Sequence, residues 1–313
     1  MEDEHAALSA PDARGQDLGV FAVFDGHGGA GVSHIARHLL AWELPKRLAS
    51  YGAADAGAAV DASPSAASSG DGAPEGPPDV RVGGGIPACG ELGRVLHEAV
   101  LDIDTAILRG PLGMGSLMHR EWLHPFSRMG STSCIAVLDP ARSRIVVANT
   151  GDSRAVLCVN GEARALSDDH KPENRPELLR IVRAGGQVRR SGPCFRIDNG
   201  LNLSRALGDF CYKAHPKLPA DEQRVIAVPD IESYPWDARR PSSADDFLIV
   251  ACDGLFERMS RQELVSFVRC GLQSGRSPEV VMQALLQACC APDAWQAGQD
   301  NETAILVQWR PAG

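Results

Sequence analysis

An apolar run, Val20-Phe21-Ala22-Val23-Phe24, stops at Asp25-Gly26-His27-Gly28-Gly29. Valine and phenylalanine favour an extended, half-buried backbone. Glycines permit backbone geometry that other residues resist. The stretch therefore reads as a buried strand, Leu18 to Phe24, that delivers a carboxylate and an imidazole to a tight turn. An isolated buried charge is costly, so Asp25 needs a cation or a basic side chain beside it. The segment Gly26-His-Gly-Gly-Ala-Gly31 also fits G-x-G-x-x-G between a strand and a helix, the pattern of dinucleotide-binding oxidoreductases. Against that reading, Asp25 would sit close to a pyrophosphate, and no repeating βαβ pattern follows.

The whole chain has 313 residues, enough for one large domain or two small ones, and its 44% apolar content can build a core. A net charge of −9 argues against nucleic acid as the main partner. No apolar run approaches the roughly 20 residues that span a membrane. The N-terminus, Met-Glu-Asp-Glu-His, is acidic and does not read as a secretory signal. The nine cysteines include no C-x-x-C pair, and most lie in apolar runs such as those around Cys134 and Cys252. They read as reduced core thiols of an intracellular protein, cytoplasmic or nuclear. Nothing in the sequence signals an oligomer, so a monomer is expected.

Taken in order, residues 1–17 read as polar loop. Apolar spacing predicts a helix over Gly31 to Ser50, ended or kinked at Pro45. Residues 51–90, mostly Ala, Gly, Ser, Pro and Asp, read as a disordered insertion within the single domain 1–313. A helical period resumes from Leu92 to Leu108, and 109–130 reads as loop. The period then changes to strand over Ser133–Leu138, Arg144–Thr150 and Arg154–Val159, expected as one antiparallel meander. Glu177 to Ala184 reads as a short helix. A strand from Asp246 to Ala251 is followed by two helices. The first opens with a capping box, Ser260-Arg-Gln-Glu263, and the second with Ser277-Pro278. Thr303 to Trp309 is the last strand. Strands followed by helices, without βαβ winding, indicate an α+β fold of antiparallel sheets.

Acids recur at strand ends: Asp25-Gly26, Asp253-Gly254, Asp300-Asn301 and, in a strand connection, Gly151-Asp152. Each alone is an ordinary turn or cap residue. Together they suit a hard cation, because magnesium and manganese take carboxylate, carbonyl and water ligands.

At this point the chain resembles a known family, the PPM (type two C) metal-dependent serine/threonine protein phosphatases. The matching blocks are MEDEH at 1–5, FAVFDGHGG at 21–29, GSTSCIAVL at 130–138 and VANTGDSRAVL at 147–157. They continue with LSDDHKP at 166–172, LSRALGD at 203–209, FLIVACDGLFERM at 247–259 and QDNETAILV at 299–307. They run in the family's order and cover nearly the whole chain outside 51–90. The resemblance implies an α-β-β-α sandwich, two stacked antiparallel sheets flanked by helices, with two Mg2+ or Mn2+ ions between the sheets. Asp25 would bridge the two ions and Gly26 would lend its carbonyl. Glu2 would bind the second ion, and Asp253 and Asp300 the first. Asp152, with Asp253, would hold a third, weaker ion. The two main ions, about 3.5–4 Å apart, would activate a shared water to attack the phosphorus of a phosphoserine or phosphothreonine. His27 would protonate the leaving oxygen as general acid. The implied partners are phosphoprotein substrates.

Some residues keep a second reading. His27, among glycines, also suits a plain polar turn. Asp168, Asp169 and His170 look like a ligand cluster but read as a solvated turn before Lys171-Pro172. Arg189, Arg190, Arg196 and Arg205 suit either a phosphopeptide or the open surface. Two departures from the family pattern stand out. The chain starts at Met1, so the family's phosphate-binding arginine a few residues upstream, and its first strand, have no counterpart. Weaker phosphate binding and an unpaired sheet edge are expected, from a truncated sequence or one begun at a later methionine. Glu257 stands where the family often has aspartate, next to the expected third-ion site. The rivals to an active phosphatase are an inactive relative that acts as a binding module and, more remotely, the dinucleotide-binding oxidoreductase.

Overall fold

The computed structural model describes residues 1–53, 90–110, 125–236, 246–290 and 301–309. The expected insertion lies, from residue 54 to 89, outside the described residues, and so does Asp300.

Two antiparallel sheets carry the molecule. The first has the order β1 (Glu4–Pro11), β2 (Asp17–Phe24), β5 (Ser133–Asp139), β6 (Arg144–Thr150), β12 (Asp230–Pro235). The second has the order β14 (Ala304–Gln308), β13 (Phe247–Ala251), β7 (Arg154–Val159), β8 (Glu162–Ala165). A third, miniature sheet joins β3 (Gly26–His27), β4 (Gly130–Ser131) and β11 (Leu207–Gly208). A separate hairpin pairs β9 (Val188–Ser191) with β10 (Cys194–Ile197). Every paired strand is antiparallel, so the β-winding of a dinucleotide-binding fold is absent among the described residues.

Alternation along the strands explains the layering. In β5, Ile135 and Val137 pack with α1 (Gly31–Leu48) and α2 (Gly90–Arg109), while Cys134, Ala136 and Leu138 pack with the second sheet. Strand side chains point alternately to opposite faces, so a strand buried on both sides reads as one continuous apolar run. The second sheet is covered in turn by α4 (Arg261–Gln273) and α5 (Pro278–Cys289). The result is the expected α-β-β-α sandwich. In α2 the buried residues Leu92, Leu96, Ala99, Val100, Ile103 and Ile107 keep helical spacing. Burying each larger one stabilises the fold by about 1.5–3 kcal/mol. The Ser260/Glu263 capping box and the Ser277 cap form as expected. The eight cysteines among the described residues are all free.

Three sequence expectations are corrected. Residues 4–11 are not loop but the edge strand β1, paired with β2 from Glu4↔Phe24 to Pro11↔Asp17. Its alternation is carried by small residues, with Ala6 and Ala10 buried. The helix over Pro45 does not end there. It runs to Leu48, held by burial of Leu44 and Leu48. The meander is also broken. β5 and β6 pair, but β7 crosses to the second sheet and pairs β13 and β8. The crossing is at Gly151, whose φ of +110° few side chains tolerate.

Next to the sandwich, α3 (Arg175–Arg183) seats a buried ionic network. Glu177 accepts hydrogen bonds from Arg180 Nη1 (2.6 Å), Arg205 Nη2 (2.7 Å) and Ser204 Oγ (2.7 Å). Arg205 also reaches Asp230, which meets His170 Nε2 at 3.0 Å. Burial alone would raise the Glu177 pKa, but the two guanidiniums override it and pull the group down to about 2. Its stabilisation is therefore complete above the ordinary carboxylate value of 4.5 and lost as pH falls from there to about 2. Glu177→Gln, which strands two buried guanidiniums, is expected to destabilise the fold by about 3–5 kcal/mol in urea denaturation. A loss below 1 kcal/mol would show that the network is not a structural tie.

Candidate active site

The strand ends of both sheets open on one cleft of about 420 Å³, lined by Glu2, Asp25, Gly26, His27, Asp152 and Asp253, with Thr132, Arg196 and Asn301 around them. The sandwich thus brings together every acid proposed as a metal ligand that lies among the described residues, Glu2, Asp25, Asp152 and Asp253. Asp300 is outside them, and its chain neighbour Asn301 lines the cleft.

Asp25 follows the end of β2 and is fixed from its main chain. Its N–H donates to Thr132 Oγ1 (3.0 Å), and Thr132 N–H donates back to the Asp25 carbonyl (2.8 Å). The Thr132 hydroxyl also meets Ser153 Oγ at 2.6 Å. One hydroxyl chain therefore ties the ends of β2, β5 and β7, and so spaces Asp25 from Asp152. Glu2 is drawn in by the turn before α1, with Gly29 N–H donating to Glu2 Oε2 at 3.1 Å. Gly26 is required by close approach, since a Cβ there would stand 2.3 Å from the Glu2 carbonyl oxygen. Asp253 opens the short 3₁₀ turn Asp253–Glu257 after β13. The preceding Cys252 donates its thiol to the Asn301 carbonyl (3.2 Å) and accepts from Thr303 N–H (3.1 Å), which ties β13 to β14 below the cleft. Glu257 is exposed at the far end of that turn.

Asp152 is buried at the sheet crossing. Here the expected solvated turn at 168–170 is corrected. His170 is buried, and its Nδ1 accepts from Gly151 N–H at 3.0 Å. Asp169 makes a bidentate pair with Arg154, at 2.7 and 2.8 Å. The motif braces the Gly151-Asp152 turn from behind. It also delivers Lys171, whose Nζ bonds Asp152 Oδ2 and lies 3.9 Å from Asp253 Oδ2. Burial would lower the Lys171 pKa, but Asp152, Asp253 and Asp169 hold it above the usual lysine value.

His27 is paired through the miniature sheet. β4 lies between β3 and β11, so Gly130 separates His27 from Gly208-Asp209. Asp209, in the left-handed region at φ +51°, turns its carboxylate onto His27 Nε2 at 2.6 Å. Gly130 has no room for a side chain: a Cβ would stand 2.2 Å from Asp209 Oδ2 and 2.4 Å from His27 Nε2. Burial would lower the His27 pKa. Asp209, with Asp152 and Glu2 further off, more than reverses that and raises it.

The donor set tests what the cleft suits. Four carboxylates and the Gly26 carbonyl are hard oxygen donors, the set that Mg2+ and Mn2+ prefer. The field they create has already drawn in an ammonium, Lys171. Among the described residues no three His, Cys, Asp or Glu side chains close into one cluster, and Lys171 stands against Asp152 and Asp253. The residues fit divalent cations, with Lys171 as the competing positive charge. Asp209 and Lys171 carry no local sequence signal of a site role, although both fall in blocks shared with the phosphatases.

Fold and cleft together define a class: a two-sheet sandwich with acids gathered at its strand ends. Comparison with known proteins agrees. The family described as Protein phosphatase 2C matches residues 117–297. The chain is 35% identical to "Probable protein phosphatase 2C 58" of Oryza sativa subsp. japonica, over 99% of this chain and 80% of that protein. It is 42% identical to "Probable protein phosphatase CG10417" of Drosophila melanogaster, over 57% of this chain but only 26% of that protein's length. The crystal structure of a phosphatase from Toxoplasma gondii shares the fold, with a TM-score of 0.65 and 24% identity over 99% of this chain and 89% of that one. The chain belongs to the protein phosphatase 2C family.

Asp209→Asn is expected to drop the His27 pKa below the usual 6.5 in the metal-free protein, because burial would then act almost alone. Histidine NMR titration measures it. A value still above 6.5 would remove Asp209 as the residue that holds the imidazole charged.

Proposed function

We propose that the chain is a metal-dependent protein serine/threonine phosphatase, acting on phosphoprotein substrates with Mg2+ or Mn2+. The observation that carries this reading is the meeting of Asp25, Gly26, Glu2, Asp152 and Asp253 in one cleft with an imidazole hydrogen-bonded to the Asp209 carboxylate. In a family that depends on metal ions, Asp25, Gly26, Glu2 and Asp253, with Asp300, are the residues to hold two ions, and Asp152 with Asp253 a third. Bound divalent ions acidify water and neutralise charge on a phosphoryl group.

The chain's own residues supply the remainder. Arg196 lines the cleft as the cation available to a phosphate, and guanidinium–phosphate contacts are strong and directional. His27 gives a proton to the serine or threonine oxygen as the P–O bond breaks. Asp209 takes the Nε2 proton in a hydrogen bond, which leaves Nδ1–H as the transferable one. Without that proton the leaving group would be an alkoxide, far more basic than a phenolate. Thr132 and Ser153 hold Asp25 in place, and neither reacts.

Purified protein with added manganese is expected to hydrolyse p-nitrophenyl phosphate and to lose activity on chelation. Asp253→Asn should abolish it, and full activity in that variant would overturn the metal assignment. His27→Gln should cut kcat on a phosphothreonine peptide by about 10²–10⁴-fold and change p-nitrophenyl phosphate hydrolysis much less, because nitrophenolate leaves unprotonated. Equal losses on both substrates would exclude His27 as the general acid.

A further inference from the structure

The hairpin of β9 and β10 is basic in an acidic chain. Residues 171–205 hold eight lysines and arginines against three acids, while the whole chain carries −9. Much of that excess is neutralised internally. Arg180 and Arg205 are spent on Glu177 and Asp230, and Asp198 pairs with Arg224. Lys171 pairs with Asp152. On the hairpin itself Arg189, Arg190 and Arg196 remain, and none of them pairs with a carboxylate among the described residues. Arg189 and Arg190 are exposed.

The hairpin register makes this costly. Arg196 lies directly opposite Arg189, and directly opposed strand residues share a face. Like charges in that position repel, and no carboxylate among the described residues offsets it. The other face explains why the arginines are held in this arrangement: Ile197 is buried and Val188 packs with it against Ile181 and Leu203. A one-residue slip would expose that apolar pair, so the register, and with it the arginine pair, is fixed. Gly192, at φ +64°, closes the turn.

The arginine face continues into the active site. Arg196 lines the catalytic cleft together with Leu201, Asn202 and Leu203. Whatever occupies the hairpin face is therefore connected to what occupies the cleft. Strand neighbours are about 4.8 Å apart and an extended peptide advances about 3.3 Å per residue. A peptide whose phosphorylated side chain enters the cleft would lay residues one to three positions away across Arg189.

Building on the phosphatase reading above, we propose that the β9–β10 hairpin is a docking surface for acidic residues flanking the phosphorylated site, so that the preferred substrates are phosphoserine or phosphothreonine segments rich in Asp and Glu or in further phosphates. The acidic flank supplies the charge that the Arg189–Arg196 pair lacks. The Arg189–Arg196 pair, with Arg196 at the cleft, suits a short acidic segment better than a nucleic acid, whose continuous phosphate backbone would meet the carboxylates of the cleft.

The test uses three phosphothreonine peptides of equal length, flanked by Asp, Ala or Lys, alongside p-nitrophenyl phosphate. With manganese, kcat/KM for the Asp-flanked peptide should exceed that for the Ala-flanked one by about five- to tenfold at low salt, and the advantage should shrink at 0.5 M salt. The double variant Arg189→Ser/Arg190→Ser should lose the preference through KM while p-nitrophenyl phosphate kinetics and Tm stay unchanged. Arg189→Glu should shift the preference toward the Lys-flanked peptide. Equal rates on all three peptides, or a preference that survives both variants, would overturn the docking surface. Fluorescence anisotropy with the same peptides and metal-free protein keeps the two readings apart. No turnover of any substrate but tighter binding of the Asp-flanked peptide, lost in the double variant, would sink the phosphatase reading alone. Tighter binding of a single-stranded RNA 20-mer than of the acidic peptide would overturn the peptide assignment.

Discussion

Carboxylates held in one cleft repel each other, and burial strengthens the repulsion by removing water. Glu2, Asp25, Asp152 and Asp253 come together all the same, because each is anchored through main chain or turn geometry rather than by attraction between side chains. Asp25 is held by Thr132, Asp152 by the Gly151 turn against His170, and Asp253 by the strand end that Cys252 ties to β14. The field left over is visible in its neighbours. Lys171 is drawn onto Asp152, and Asp152 and Glu2 add to the rise that Asp209 gives His27. Such a field suits a cation, and the cleft's oxygen donors suit hard ones.

The two sheets are needed for this convergence. β2, β5 and β6 lie in one sheet and β7 and β13 in the other. Only the stacking of their ends places Asp25 near Asp152 and Asp253. The crossing from β6 to β7 does the joining, and Gly151 makes it possible. The miniature sheet adds a separate device. By interposing a single glycine, Gly130, it sets an imidazole and a carboxylate at hydrogen-bond distance. The cleft acids and His27 are thus positioned by different elements, so each can be disturbed without the other.

Around this centre the charge is divided. The cleft floor is acidic, the hairpin edge is basic, and the buried network of Glu177, Arg180, Arg205 and Asp230 joins the hairpin region to β12 and to His170. The same His170 braces the Asp152 turn. The element that carries the exposed arginines and the turn that carries an acid of the cleft therefore share one rigid support.

Local pattern determined much of this protein. The run ending at Asp25, the apolar spacing of α2, the capping box of α4 and the strand identities of β5, β6 and β13 all follow from side-chain periodicity and cap chemistry, which act over a few residues. The acids of the site were visible for the same reason, as polar residues placed abruptly after apolar strands. What local pattern could not reach was decided by contacts distant in sequence. β1 becomes a strand because β2 pairs with it, although its inward positions are mostly alanine. β7 leaves the meander because its apolar faces pack into the second sheet. Asp209 adopts a left-handed backbone and meets an imidazole 182 residues away, and the arginine at 205 turns inward to Glu177 while that at 196 faces the cleft. Each outcome depends on long-range packing and charge compensation, which no short stretch of sequence contains.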